Sequence, residues 1–348
     1  MKEFYRGKKV LITGNTGFKG SLLSLILYRC GADVTGYSMP APTTLSLYDI
    51  LQVKSGVRQV EGDVRDYAHL QRVVEEEKPE IVFHLAAQPI VRVSYENPVY
   101  TYETNVMGTV YLCEAIRKAG CVKSFLNVTT DKVYCNNEQG IPFTEDMPLD
   151  GLDPYSNSKS CSELVTHSYV HSFLDHMGIA VSTARAGNVI GGGDFAKNRI
   201  VPDCFRAAVK KQPIVIRNPH SVRPYQHVLE PLYAYLLIAM KQYENKELQG
   251  NYNVGPNETD CLTTGEVADL FCKYWGEGLS WENQYDNGPY ESGCLKLNCN
   301  KIRDTFNWQP RWSAAEAVQM SADWYKAYAK GEDMIAFTIK QMGELFDV

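Results

Sequence analysis

Short β-branched runs alternate with amphipathic stretches of helical length through the first half of the chain. "KKVLITG" (8–14) predicts a strand and residues 18–31 a helix. "ADVTGY" (32–37) is the next strand, closed by the Pro-rich turn "MPAPTT". "VRQVEGD" (57–63), the helical "YAHLQRVVEEEKP" (67–79), the strand "EIVFHLAA" (80–87), a helix ending near "EAIRKAG" and the strand "SFLNVTT" (124–130) continue the alternation. A long helix from about Tyr155 leads to one more apolar strand, "AVSTARAG" (180–187). Strands that alternate with helices and are apolar on both sides predict an α/β fold built on a doubly wound parallel sheet.

Beyond residue 187 the regularity gives way to Gly, Asn and Pro in "GNVIGGGDFAKNRIVPD" and "RNPHSVRPYQH", with helical stretches in "PLYAYLLIAMKQY" and "TTGEVADLFCKYW". This region predicts a smaller, interleaved C-terminal α/β substrate domain across the ligand edge of the sheet. Residues 1–186 with about 226–252 form the first domain, and about 187–225 with 253–348 the second. A chain of 348 residues, 44% hydrophobic, has the core for both.

A net charge of −6 without a basic run argues against nucleic acid as a partner. The longest apolar stretches fall far short of the roughly 18 residues of a membrane helix, and "MKEFYRGKKV" lacks the apolar core of a signal peptide. The expectation is a cytoplasmic protein away from the membrane. The ten cysteines include no C-x-x-C pair and read as buried free thiols. His167 and His171 share a helix face near His176, but without a ligand-spaced acid they read as a packed or solvated face, so no metal is expected.

The first strand runs into "GNTGFKG", with Gly14, Gly17 and Gly20 where a strand turns tightly into a helix whose first amides can face a pyrophosphate. Asn15, Thr16, Phe18 and Lys19 complete this candidate dinucleotide turn of a Rossmann-type sheet. The acid that usually holds the adenosine ribose, about 20 residues on, is absent. Tyr37 and Ser38 stand there instead, with no Arg for a 2′-phosphate, so NAD and NADP are not separated at this point. Asp63, followed by Val64, is a candidate for the adenine edge or a simple loop cap. In "YSNSK", Tyr155 and Lys159 lie one helical turn apart, and a cation there would lower the phenol toward use as a general base. Tyr5 and Lys9 share the spacing, so it is the context that singles out Tyr155: it opens a helix 25 residues after Thr130, which ends a parallel strand.

Together "GNTGFKG", "HLAA", "TNVMGT", "TTDKVY" and "YSNSK" resemble the extended short-chain dehydrogenase/reductase family of nucleotide-sugar enzymes over essentially the whole chain. The blocks "HLAAQPIVRVSYENPV", "ARAGNVIGGGDFAKNRIVPD" and "IRNPHSVRPYQHVLEPL" narrow the resemblance to its 4,6-dehydratases, those acting on CDP-glucose. The resemblance implies NAD as cofactor and a cycle of C4 oxidation, loss of water across C5 and C6, and hydride return to C6. Tyr155 would take the C4 hydroxyl proton, Thr130 would hold that hydroxyl, and Lys159 would bind the nicotinamide ribose. Elimination also needs a group for the leaving hydroxide and one for the C5 proton, and Asp131 and Lys132 stand where the dehydratases carry this pair. Asp131 would manage the hydroxide; Lys132 would take the proton as a neutral amine or stabilise the enolate. By motif match Asn105 supports the site, Leu85, Ala86 and Ala87 line the cofactor, and Gln88, Asn188, Arg199 and Arg223 face the nucleotide-sugar. Asn15 departs from the His expected in the glycine turn, which bears on the grip on the pyrophosphate. The alternatives are a 4-epimerase, a dehydratase for another nucleotide-sugar, and a non-catalytic NAD-binding sensor. The resemblance also implies a homodimer or higher homo-oligomer, paired through helices such as the one starting at Tyr155.

Overall fold

A computed structural model of the chain describes residues 1–136, 138–285, 288 and 293–347. Seven parallel strands form the main sheet: β1 (Lys9–Thr13), β2 (Asp33–Ser38), β3 (Arg58–Glu61), β4 (Ile81–His84), β5 (Ser124–Val128), β6 (Ala180–Ala186) and β7 (Asn251–Val254), in the spatial order β7-β6-β5-β4-β1-β2-β3. The principal helices are α1 (Phe18–Arg29), α2 (Tyr67–Glu77), α3 (Gly108–Ala119), α4 (Pro154–Tyr169), α5 (Ile200–Val209), α6 (Leu229–Glu244), α7 (Thr264–Trp275) and α8 (Ala314–Ala329).

The apolar runs are explained by burial on both faces of the sheet. Val10, Ile12, Ile81, Phe83 and Leu126 point to the layer of α1 and α6, whereas Leu11, Val82, Phe125 and Val181 point to the layer of α2 and α3. Each such side chain, buried from water, contributes about 1.5–3 kcal/mol. Caps set the helix starts: Asp66 accepts from His69 N at 3.0 Å at the head of α2, and Asp153 accepts from Ser156 N at 3.0 Å at the head of α4. The helix expected over residues 18–31 stops at Arg29, and Gly31 turns the chain at φ +81.

The strand order reverses between β1 and β4, and there the chain leaves a crevice beyond the strand ends. After β6 the chain forms short pairs outside the main sheet: Val189–Ile190 with Gln226–His227, Ile214–Ile216 with Trp281–Asn283, and Val222–Arg223 with Leu262–Thr263. Between these pairs it returns to the main sheet, laying α6 on β5 and β6 and adding β7 at the edge. Among the described residues no helix is long and apolar enough to cross a membrane. None of their His, Cys, Asp and Glu residues gather in a group of three that could hold a metal. His167 on α4 and His171 in the π-turn that continues it stack parallel, their ring centroids 6.3 Å apart.

Candidate active site

The glycine turn sits at the reversal point. Gly14 has φ +75, and a Cβ on it would lie 2.6 Å from the backbone nitrogen of Ala86, so only glycine lets the end of β1 pack on the segment after β4. A Cβ on Gly20 would lie 2.2 Å from Gly14 O, which sets how closely α1 approaches the turn. Gly17 is the N-cap of α1 and supplies no side chain to it, leaving the first-turn amides, those of Phe18 and Lys19 included, for the oxygens of a ligand. These features fit a dinucleotide pyrophosphate.

Asn15 is fully buried, turned away from the turn's open side. It donates to Gln59 Oε1 at 2.6 Å and accepts from Ser38 Oγ at 2.9 Å. Ser38 also donates to Thr16 Oγ1 at 3.1 Å, and Thr16 to Met39 O at 3.0 Å. The departure from the expected turn residue is thus absorbed by the ends of β2 and β3, and any grip on a pyrophosphate falls to the backbone. The Asp63 carboxylate caps Arg65 N at 2.9 Å and pairs with its guanidinium at 2.6 Å, which holds its pKa below the usual carboxylate value against burial. Val64 packs against Gly108, where a Cβ would meet it at 2.8 Å. Leu85 N donates to Thr13 O at 3.1 Å, and Ala86 and Ala87 carry the chain away from β4.

Asn105 is buried in a π-turn before α3 and ties three segments together: it accepts from Gln88 N at 2.8 Å and donates to Gln88 O at 3.1 Å and Ser158 Oγ at 2.9 Å. Gln88 spends its amide inside this loop, donating to Thr101 Oγ1 and accepting from Ile90 N, and does not line the cleft. Asn188, Arg199 and Arg223 do line it. Arg199 is paired with Asp194 at 3.1 Å, and Arg223 donates to Val222 O at 2.9 Å. Arg92, Arg217 and Tyr225 line the same cleft and were missed. Arg217 and Tyr225 lie in the block that contains Arg223, so the resemblance held the signal for them.

The cleft, about 520 Å³, brings together Lys19, Thr130, Asp131, Lys132 and Tyr155. Thr130 caps a short 3₁₀ turn, Asp131–Val133, and donates to Asp131 Oδ1 at 3.0 Å. Asp131 is 1% exposed, and its Oδ2 has no hydrogen-bond partner among the described residues. Such an orphaned acceptor fits a hydroxyl-bearing ligand. Lys159 is buried and donates to Val128 O at 3.1 Å; burial lowers it to about 8 against the opposing charge of Glu163.

The expected lowering of Tyr155 is corrected by the structure. Burial raises the phenol to about 12, helped by Asp131 and opposed by a hydrogen bond with Thr130 and the charge of Arg199. Lys159 turns its ammonium to a backbone carbonyl, and desolvation outweighs the charge of Arg199.

The sequence model of the family described as GDP-mannose 4,6 dehydratase matches residues 11–321. The chain is 44% identical to the CDP-glucose 4,6-dehydratase of Salmonella typhimurium over 349 residues, which cover 99% of this chain and 97% of that protein. Among solved structures it is similar to the UDP-glucose 4-epimerase of Thermus thermophilus in complex with NAD, with a TM-score of 0.79 and 27% identity over 91% of this chain and 98% of that one. The dTDP-glucose 4,6-dehydratase of Bacillus anthracis in complex with NAD shares the fold, with a TM-score of 0.79 and 22% identity over 94% of this chain and 100% of that one. With a full-length relative and a family match that runs from β1 into α8, the chain belongs to the GDP-mannose 4,6 dehydratase family of the extended short-chain dehydrogenases/reductases.

Proposed function

We propose that the protein is an NAD-dependent hydro-lyase that converts CDP-D-glucose to CDP-4-dehydro-6-deoxy-D-glucose and water, a step toward deoxysugars. The observation that carries the reading is the meeting in one cleft of Thr130 and Tyr155 with Asp131, whose Oδ2 is buried without a partner. An oxidoreductase or epimerase uses the first two; elimination needs the third. The 44% identity to a CDP-glucose 4,6-dehydratase over nearly the whole chain supports the choice of nucleotide and sugar.

The glycine turn and Lys159 would hold NAD, which would supply a reversible hydride acceptor for the oxidation at C4 and the reduction at C6. Tyr155 takes the proton of the C4 hydroxyl, which Thr130 orients. Because burial places Tyr155 at about 12, its ionisation requires cationic company in the filled cleft. Asp131 protonates the hydroxide leaving C6, and Lys132 stabilises the enolate by its charge. Arg199 and Arg223 suit the pyrophosphate of the substrate. The short strand pairs after β6, with α5, α7 and α8, make up the substrate domain. A homodimer through α3 and α4 accounts for Leu164 on α4, 55% exposed, and for the neighbouring exposed Met107 and Phe173.

Incubation with CDP-, UDP-, dTDP- and GDP-glucose in turn tests the reading. CDP-glucose should give the 4-keto-6-deoxy product without net NADH, and deuterium placed at C4 should appear at C6. Stoichiometric NADH, or label lost to solvent, would refute the cycle, and preference for another nucleotide would refute the substrate.

A further inference from the structure

The segment 293–298 runs between two parts of the active site. On one side is the chain that follows the Asp131–Val133 turn: Asn136 Nδ2 donates to Cys294 O at 3.1 Å, Phe143 N to Lys296 O at 2.9 Å and Asn298 N to Phe143 O at 2.9 Å. On the other is the short strand Val222–Arg223, where Val222 N donates to Gly293 O at 2.9 Å and Leu295 N to Val222 O at 3.2 Å. The segment therefore joins the loop of the catalytic groups to the strand of a cleft arginine.

Glu138 sits where these connections meet. Its carboxylate accepts from Gly293 N at 3.0 and 3.1 Å and from Cys294 N at 3.1 Å. The Cys294 N–H and the Gly293 carbonyl are the two ends of one planar peptide unit, so holding the first fixes the direction of the second. That carbonyl accepts from Arg223 Nη1 at 3.3 Å, and the same nitrogen donates to Val222 O at 2.9 Å. A carboxylate at the N–H end also polarises the carbonyl end, which strengthens its hold on the guanidinium. Arg223 is buried and lines the cleft, whereas Glu138 is exposed and lies outside it.

The backbone gives no local reason for a glutamate at this position. Glu138 has φ +58, in the left-handed region, with its amide donating to Asn136 Oδ1 at 2.9 Å. Glycine adopts that conformation at less cost, so the shape of the turn calls for no side chain. What the glutamate adds is its grip on the two amides of the facing segment.

Resting on the assignment of Arg223 to the substrate's pyrophosphate above, we propose that Glu138 is a positioning residue: through the Gly293–Cys294 peptide it sets the Arg223 guanidinium against the diphosphate of the nucleotide-sugar. It acts on substrate affinity and leaves Thr130, Tyr155 and Lys159 in place, so its loss belongs in binding and not in the chemical steps.

Glu138→Gly removes the carboxylate and suits the left-handed turn, and Glu138→Gln keeps the size without the charge. Both are compared with the wild type, with Arg223→Ala and with the Glu138→Gly, Arg223→Ala double variant. Calorimetric titration with CDP, which carries the diphosphate without the sugar, is run beside steady-state turnover of CDP-glucose and fluorescence titration with NAD. Glu138→Gly should weaken CDP and raise KM for CDP-glucose about 10–100-fold, the worth of one charge-assisted hydrogen bond. Glu138→Gln should fall between it and the wild type, and kcat and NAD affinity should stay within a few-fold in both. In the Arg223→Ala background, Glu138→Gly should change CDP affinity by no more than about twofold, because the residue it positions is gone. The proposal is overturned if Glu138→Gly binds CDP as the wild type does, if NAD affinity or kcat falls together with CDP affinity, or if the loss is as large without Arg223 as with it. A wild type that binds CDP but does not dehydrate CDP-glucose would refute the function above, while the CDP titrations still decide the role of Glu138.

Discussion

Glu163 is the residue on which stability and catalysis meet, and Glu163→Gln separates its contributions. The carboxylate sits on α4 one turn beyond Lys159. It accepts from Arg185 Nε at 3.1 Å and Nη2 at 3.0 Å, from Thr183 Oγ1 at 2.8 Å and from the Thr129 hydroxyl. Both members of the ion pair are 2% exposed. Glutamine replaces one acceptor oxygen by an NH₂ group facing donors and leaves the Arg185 charge buried without its counter-ion. Removing one partner of a buried pair costs about 3–5 kcal/mol, and the two lost charge-assisted hydrogen bonds, at about 1.5–3 kcal/mol each, give an overlapping range of about 3–6 kcal/mol. Urea unfolding followed by fluorescence should register that loss. Glu163→Leu combined with Arg185→Met should recover at least half of it, since no charge is then stranded. The same carboxylate opposes the burial that lowers Lys159 to about 8. Without it the ammonium is lost at lower pH, so the alkaline limit of the first oxidation should move down. A loss below about 1 kcal/mol with an unmoved pH profile would refute the argument, because the pair would then be behaving as an exposed one.

Three other outcomes are expected. Tyr155→Phe should cut C4 oxidation by about 10²–10⁴-fold while NAD binding, followed by fluorescence titration, stays near wild type. Gly20→Ala, whose Cβ would lie 2.2 Å from Gly14 O, should push α1 off the turn and weaken NAD at least about tenfold in the same titration, or about 1.4 kcal/mol, with the fold retained by circular dichroism. Burial raises Glu230 to about 7 despite its bonds from Arg311 N and Trp312 N, so the folded state binds an extra proton between the unfolded value of about 4.3 and that pH. Stability should therefore fall by up to about 4 kcal/mol as pH rises through that window and level off above it, a slope that Glu230→Gln should remove from urea midpoints.

Local patterns carried most of the fold. The period-two burial of Val10, Leu11 and Ile12, and of Ile81, Val82 and Phe83, is a property of consecutive residues, so strands covered on both faces were readable without coordinates. Gly14, Gly17 and Gly20 announced the turn because they fall within seven residues of chain, although what a Cβ on Gly14 would strike, the backbone of Ala86, lies 72 residues on. The four-residue step from Tyr155 to Lys159 placed both on one helix. What failed was electrostatic. A Tyr–Lys spacing implies a lowered phenol only if the ammonium faces it, and Lys159 faces Val128 O instead.

The sequence by itself determined the alternation of strands and helices, the dinucleotide turn, and the presence of a threonine, a carboxylate and an ammonium at one strand end, because each of these resides in residues a few positions apart. Tertiary structure alone decided which of those groups are buried and what charges surround them. Lys19 meets Tyr235 across 216 residues of chain, Glu163 meets Arg185 across two elements, and Asn15 folds onto Ser38 and Gln59 rather than toward a ligand. Desolvation and Coulomb energy depend on distance in space and on the medium between charges, and neither is encoded in spacing along the chain.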